Sequence, residues 1–447
     1  MKRITLFFLL SISSLFYGLA QGFGGGIGIS SDPYILSTAE HFVALSDSVK
    51  AGNTYAGKYF VVSNDINFNN QNFTPIGNNF DGSSNLHYFT GIVDGQNHKI
   101  SNFNCTIHEM GLGVFGLTGA GSIIKNLHMI SGTISGSGLI GSIVGFNSGL
   151  IEHCSASDQV TCTATSFYVG GIAGANTEGS TISKCVSYAT VSLIGNNGMN
   201  AGGIVGGNNG TITQCYNMGS VSVPHSYAGG IAGYSDNNCA INNCFNGGSV
   251  YAGVEYAAGI AGGVLLSTSS VVNKIENCYN YGAITGSNNR AICGASISMS
   301  YANNHYDNIT SIATEVAARG TGQTTATMTN GSFATTLNVG VTCWVEDMTN
   351  INNHYPILAW QINDPIGINN VSKSPIFYTY VSNGSIVVKL SEPINGTISI
   401  FNINGALIAQ TKIVNNTHSF EVTNNGVFLV RINTEKSYIT KKVMVIK

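Results

Sequence analysis

Charged side chains are scarce. Asp, Glu, Lys and Arg make up 9% of the 447 residues, and between positions 140 and 307 the only cations are Lys184, Lys274 and Arg290. Phosphate recognition needs clustered cations, so this composition argues against a nucleic-acid partner. Long apolar runs are missing as well: beyond the first twenty residues no stretch is long and apolar enough to span a bilayer. The ten histidines show no metal-ligand spacing, and neither HExxH nor GxSxG occurs. Low charge does not signal disorder here, because hydrophobic residues still amount to 43% and can build a core. The surface must then be covered by Asn, Ser, Thr and Gly, the last numbering 56.

One phrase is repeated from residue 138 to 294. GSIVG at 141–145 returns as GGIAG at 170–174, GGIVG at 202–206, GGIAG at 229–233 and AGIAG at 258–262, at spacings of 29, 32, 27 and 29 residues. A polar turn follows each, then Ile-x-x-Cys: Ile151 and Cys154, Ile182 and Cys185, Ile212 and Cys215, Ile241 and Cys244, Ile275 and Cys278. Such a period with variable turns and fixed apolar positions marks a solenoid, one coil per repeat. Each phrase holds too few residues between Gly or Asn for a helix, so the coil is built of strands. Ile and Cys have opposite strand parity, so a corner falls between them; Asn243 and Asn277, just before the cysteine, tolerate the left-handed backbone a corner needs. Worn copies at Ile100–Phe103, Ile124–Leu127, Ala291–Gly294 and Asn303–His305 bring the total to about eight coils, a rod on the order of 40 Å long at strand spacing.

The remaining segments divide by pattern. Lys2 and Arg3, the apolar run to Phe16 and a small-x-small site before Gln21 read as a secretory signal peptide, residues 1–20. Residues 21–104 hold an N-terminal cap and the first coils; Ser37 with Glu40 makes a capping box, and Phe42, Leu45 and Val49 give one helix that covers the open end of the column. Coils occupy 105–307, and an aromatic, non-periodic stretch with Phe333, Trp344, Tyr355 and Trp360 forms a terminal cap at 308–360. A linker at 361–371 leads to 372–447, where the charge balance turns from 18 acids against 8 bases over 21–369 to 3 against 8. There Ile386, Val388 and Leu390, Ile398, Ile400 and Ile403, Val427, Leu429 and Ile432, and Val443 and Val445 alternate as in a small antiparallel β-sandwich, with Asn404-Gly405 as a turn.

Gly138-Leu139-Ile140-Gly141 and the phrases after it resemble the GLUG-motif repeats of bacterial surface proteins and adhesins. That resemblance implies an all-β fold, a right-handed parallel β-helix, in a cell-surface setting. The tail, through ISIFNINGAL at 398–407, NGVFLVRI at 425–432 with Gly426, and the closing Lys441, Lys442 and Val443, resembles the type A C-terminal sorting domain of the type IX secretion system of Bacteroidetes. Tyr380–Gly384 lacks the Pro-Asn usual at the start of that domain. The resemblance implies the secretion machinery as a partner, delivery to the outer membrane, removal of the tail and attachment at the cell surface.

Three constellations could carry function. Gly111–Gly116 (GLGVFG) matches the dinucleotide fingerprint, but a β coil follows instead of a helix, so it reads as a turn and no cofactor is expected. Cys154, Cys185, Cys215, Cys244 and Cys278 stack into a column about 4.8 Å apart, either a packing ladder or, in an oxidising compartment, bonded; Cys239, five residues from Cys244, offers a disulfide. Beside the column runs an aromatic file, Tyr216, Phe245, Tyr279 and Tyr306: facing out it is a stacking platform for sugar rings, facing in it is core. Polysaccharide-cleaving β-helices need two gathered carboxylates, yet Glu152, Asp158, Glu178, Asp236, Glu255, Glu276 and Asp307 differ in offset from the cysteine, and Glu152 and Glu276 share one only four coils apart. The expectation is therefore a monomeric, surface-displayed, non-catalytic adhesin or glycan-binding protein, with a polysaccharide-acting enzyme or a structural stalk as alternatives.

Overall fold

A left-handed kink recurs once per coil, at Asn102, Asn126, His153, Lys184, Gln214, Asn243, Asn277 and Asn303, all with φ between 50° and 55°. Each of the five repeat cysteines follows one of these kinks, so the corner expected between Ile and Cys is present. That Lys, Gln and His also adopt it shows that stacking on neighbouring coils overrides local preference. The computed structural model describes residues 22–445, apart from 79–85, 163–167, 195–199, 237, 265–272, 297–298, 317, 364–376, 383–384, 391–394, 403–404, 416, 423 and 435–437. The expected leader at 1–20 and most of the expected linker at 361–371 lie outside the described residues. The chain forms two compact units, 1–366 and 367–447.

The first unit is a parallel β-solenoid of four sheets. In the first, Leu150–Glu152, Thr181–Ser183, Thr211–Thr213, Ala240–Asn242 and Asn273–Glu276 stack in register, giving an unbroken file Ile151, Ile182, Ile212, Ile241, Ile275. Past the corner, the second sheet stacks Val186–Ser187, Tyr216–Asn217, Phe245–Asn246, Tyr279–Asn280 and His305–Asp307. The third carries at or next to the start of each pass the β-branched residue Val160, Val191, Val221, Val250 or Ile284. The repeat phrase turns from the third sheet into the fourth, and at that bend Ile143, Ile172, Ile204, Ile231 and Ile260 are fully buried. One continuous core results, from Leu36 and Phe42 to Ile292 and Cys293.

The double glycine of the phrase has a steric cause. A Cβ on Gly203 would sit 2.2 Å from the Gly230 carbonyl oxygen and 2.3 Å from Asn217 Cγ, and Gly230 and Gly259 face Asn246 and Asn280 in the same way. The asparagine side chains turn inward from the second sheet and occupy the space a side chain would need. In the coil where Ala156 stands in the place of Asn, the phrase carries Ser142 instead of the second glycine.

At the N-terminal end the helix Ala39–Lys50 buries Phe42, Leu45 and Val49, with Phe42 against Phe68 at 5.8 Å between ring centroids. Its N-cap is Thr38, whose hydroxyl accepts from the His41 N–H, rather than Ser37. Ser37 hydrogen-bonds the His41 ring, which leaves the capping to the next residue.

The segment after the last coil splits in two. Thr321–Gln323 pairs with His305–Asp307 and extends the second sheet, while Glu315 accepts from the Ile292 and Cys293 N–H groups at the end of the column. Residues 325–363 leave the axis and lie against the second sheet as a strap: Trp360 donates to the Gln214 carbonyl at 3.1 Å, Asn303 to the Thr336 carbonyl at 2.9 Å and Tyr281 to Asn352 at 2.6 Å.

In the C-terminal unit a three-stranded and a four-stranded antiparallel sheet enclose Ile386, Val388, Leu390, Ile398, Ile400, Phe428, Val430 and Ile432. Val427 and Leu429, read as inward by alternation, are the half-exposed face. All four residues from 427 to 430 are apolar, so alternation alone leaves the parity open. Gly426 opens a strand that pairs with the last one, where Lys441, Lys442 and Val443 stand opposite Val430, Leu429 and Phe428. Ile403 and Asn404 lie outside the described residues; Gly405, at φ 81°, donates to the Asn402 carbonyl in that turn.

The steric account of the glycines gives a direct test. Gly203→Ala should destabilise the solenoid by about 2–3 kcal/mol through overpacking against fixed backbone, whereas the exposed Thr190→Ala should change it by less than about 0.5 kcal/mol, measured by denaturant unfolding.

Candidate functional site

The aromatic file of the second sheet is real but closed. Tyr216 and Phe245 stack at 4.7 Å with planes 2° apart, and Phe245 and Tyr279 at 5.0 Å and 4°. The rings point away from the column, as strand alternation from an inward cysteine requires. They do not meet solvent, because the strap covers them: Trp360 lies 5.8 Å from Tyr216, Trp344 lies 5.3 Å from Tyr279, and Tyr355 stacks on Tyr281 at 4.1 Å. With Met328, Phe333, Leu337 and Leu358 they form a second hydrophobic core. The sugar-platform reading of Tyr216, Phe245 and Tyr279 is thus corrected to packing. Tyr306 is out of register with them; it pairs with Asn280, and His305 continues the file, with Phe333 edge-on at 5.2 Å.

The cysteine file does more than fill space. The Cys185, Cys215 and Cys244 N–H groups donate to the Sγ atoms of Cys215, Cys244 and Cys278 at 3.4, 3.5 and 3.4 Å. At the end of the file Asn304 Oδ1 accepts from the Cys278 N–H at 3.0 Å in the place of a thiol. Each thiol also donates to a nearby carbonyl, as Cys215 does to Thr213 at 3.3 Å. The corner interrupts the strand ladder, and the side chain of the next coil satisfies the amide left over. The five cysteines of the file are free thiols, as are Cys239, Cys293 and Cys343. Cys239 accordingly does not join Cys244; its N–H donates to Asn273, and burial pushes its thiol up to about 12. Burial likewise holds the Cys185 and Cys244 thiols well above the ordinary range. Cys215→Ala should cost about 2–3 kcal/mol, a small cavity plus one orphaned amide, and alkylation in denaturant without reductant should label every cysteine of the file.

An unforeseen second aromatic row lies on the fourth face. Tyr168, Tyr227 and Tyr256 occupy one register of the third sheet, separated by Asn200. Their rings swing over the fourth sheet of the next coil. A Cβ on Gly207 would land 2.8–2.9 Å from Cγ, Cδ1 and Cδ2 of Tyr168, so that ring lies flat on the glycine; Tyr227 covers Gly263 in the same manner, while Tyr256 packs its Cβ and Cγ beside Gly294. Between Gly207 and Gly263, in the same register, stands Tyr234. Tyr168 and Tyr234 lie 6.3 Å apart with planes 20° apart, Tyr227 and Tyr256 6.4 Å and 7°. The result is one ring per coil over four successive coils, each partly exposed. Partial burial first, and Asp236 next, hold the Tyr234 phenol up to about 12. Arg290 lies over the Tyr256 ring at 5.6 Å. The row had a sequence signal: each of Tyr168, Tyr227 and Tyr256 stands two positions before a repeat phrase.

The acids are dispersed. Ser183, Thr213 and Asn242 stand between Glu152 and Glu276 in register, and Glu152 pairs with Lys184 at 3.4 Å. Among the described residues no three His, Cys, Asp or Glu side chains gather as metal ligands. Gly111–Gly116 runs from one strand to the next, with Gly113 packed on the Gly141 carbonyl. Asp158 is buried at 1% exposure with both carboxyl oxygens unpartnered, and burial pushes it up to about 7; the Ser142 hydroxyl alongside lowers it a little without reaching hydrogen-bond geometry. The folded state therefore holds this proton more tightly than the unfolded chain. Stability should fall as pH rises from about 4 to 7 and level off above, by a few kcal/mol, and Asp158→Asn should remove that slope in unfolding measured across this range.

Comparison with known proteins bears on the two units separately. Residues 382–447 match the family described as Secretion system C-terminal sorting domain. The second unit is thus a type IX sorting domain, the class that marks a protein for export and attachment at the cell surface. Halomucin of Haloquadratum walsbyi is 25% identical over 201 residues, 44% of this chain but 2% of its own length. An IgA1 Protease structure aligns with a TM-score of 0.43 at 18% identity, covering 61% of this chain and 21% of that one. No described helix is long and apolar enough to cross a membrane.

Proposed function

We propose that the protein is a surface-displayed, non-catalytic binding protein whose solenoid meets extracellular glycan through the tyrosine row Tyr168, Tyr234, Tyr227 and Tyr256. The observation that carries this reading is the flat seating of rings on Gly207 and Gly263, which keeps one face of each ring outward. Flat aromatic faces suit the apolar faces of sugar rings, and the phenol hydroxyls can bond sugar hydroxyls. Support also comes from the sorting domain and from the resemblance of the repeats to GLUG-motif surface proteins. The dispersal of the carboxylates favours binding over cleavage.

The test is a polysaccharide panel read for retention and for release of reducing ends. The full chain should be retained on at least one polysaccharide without generating ends. Product formation at an enzymatic rate, or no retention on any glycan, would overturn the reading.

A further inference from the structure

Resting on that glycan-binding reading, we infer that the tyrosine row takes an uncharged glycan chain lying along the solenoid axis, and discriminates against acidic polysaccharides. Direction follows from the coil order. The rings sit at the level of Gly207, Tyr234, Gly263 and Gly294, on four successive coils, so the platform extends along the stacking axis. At strand spacing this is on the order of 15 Å, enough for an oligosaccharide to span several rings at once. A chain crossing at a right angle would meet only one.

Charge decides the class. Two acids flank the row: Asp236, buried two positions beyond Tyr234, raises the Tyr168 and Tyr234 phenols, and the partly exposed Glu255, next to Tyr256, raises that of Tyr227, each behind the larger effect of burial. At its far end Arg290 is already committed, bonding the Asn289 carbonyl and the Thr314 hydroxyl while lying over Tyr256. At the same end Arg319 is spent on the Cys293 and Gly294 carbonyls, and Lys184 and Lys274 lie on or beside strands of the first sheet. A uronate or sulfate chain would bring its charges into the field of Asp236 and Glu255, and among the described residues of the row the cations are already bonded to backbone, while an uncharged chain loses nothing by desolvation of that kind.

The glycines under the rings are part of the site. A side chain at Gly207 would tip Tyr168 off the sheet, and one at Gly263 would tip Tyr227. Elsewhere in the same register stand Phe146 and Ala175, and beside Tyr256 stands Ala295, so glycine is confined to the two coils under Tyr168 and Tyr227.

The experiment measures binding of the full chain to cellohexaose, xylan, mannan and laminarin against polygalacturonate and alginate, at roughly 0.05 and 0.5 M salt. Binding to at least one uncharged glycan, little changed by salt, is expected; Tyr227→Ala and Tyr256→Ala should each weaken it about tenfold, while Tyr256→Phe retains it. Circular dichroism and the unfolding midpoint confirm that each variant is folded, and Glu255→Gln, which leaves every ring in place, should admit the acidic polymers more readily. Preference of the wild type for polygalacturonate or alginate would overturn this inference and leave glycan binding intact. Uncharged binding that survives loss of the tyrosines would move the site elsewhere and overturn it too, and absence of any glycan binding would sink both readings.

Discussion

Backbone amides at corners are the constraint on which the solenoid depends. A strand ladder satisfies its own donors and acceptors, but four bends per coil break the ladder four times, and the column leaves no room for water at those places. The protein answers with side chains. Thiols accept the corner amides of one edge, and at two others asparagine Oδ1 atoms accept amides of their own coil, as Asn217 does from Gly219 and Asn147 from Gly149, while the Nδ2 groups link coils: Asn217 donates to Asn246 Oδ1, Asn246 to Asn280, and Asn147, Asn176 and Asn208 form a parallel ladder. Each link needs the neighbouring coil in register. The double glycines, the free thiols and the conserved spacing within the coil all follow from it.

This constraint explains what was legible in the sequence. Ile-x-x-Cys and the glycine phrase are repeated because every coil solves the same bonding problem, so the solenoid, its corners and its inward cysteines could be read from period and parity. The strap could not. Met328, Phe333, Trp344 and Tyr355 follow no period, and nothing in their order says that they lie against the side of the column instead of its end. The tyrosine row was hidden for another reason. Tyr234 comes from one register and Tyr168, Tyr227 and Tyr256 from another, and only the pairing of the third and fourth sheets brings them together. Asp158 was visible as an acid but not as a buried one, because the position it fills is Ala189, Gly219 or Gly248 in the coils that follow.

The two aromatic rows show how little residue type decides. Both are files of rings at coil spacing on an outer face. In the second sheet the rings stand upright and stack tightly on one another, which exposes a broad apolar flank that the strap then covers. In the fourth they lie down on glycine and spend their inner faces on backbone, leaving small, separated outer faces that can remain in water.

The strap also changes how the solenoid comes apart. Stacked coils touch only their neighbours, so a bare solenoid opens one end at a time, each coil costing its own small increment. Trp360 reaches Gln214, 146 residues earlier in the chain, while Asn277 and Asn303 hold Val339 and Thr336. A single segment therefore grips coils from Gln214 to Asn303 together, and fraying of the last one must wait until a ring-lined contact several coils long has been released. What would be a zipper becomes a block with one opening threshold, and amide protons along the second sheet should exchange as a set while those of the coils before His153, which Trp360 still touches, open in sequence.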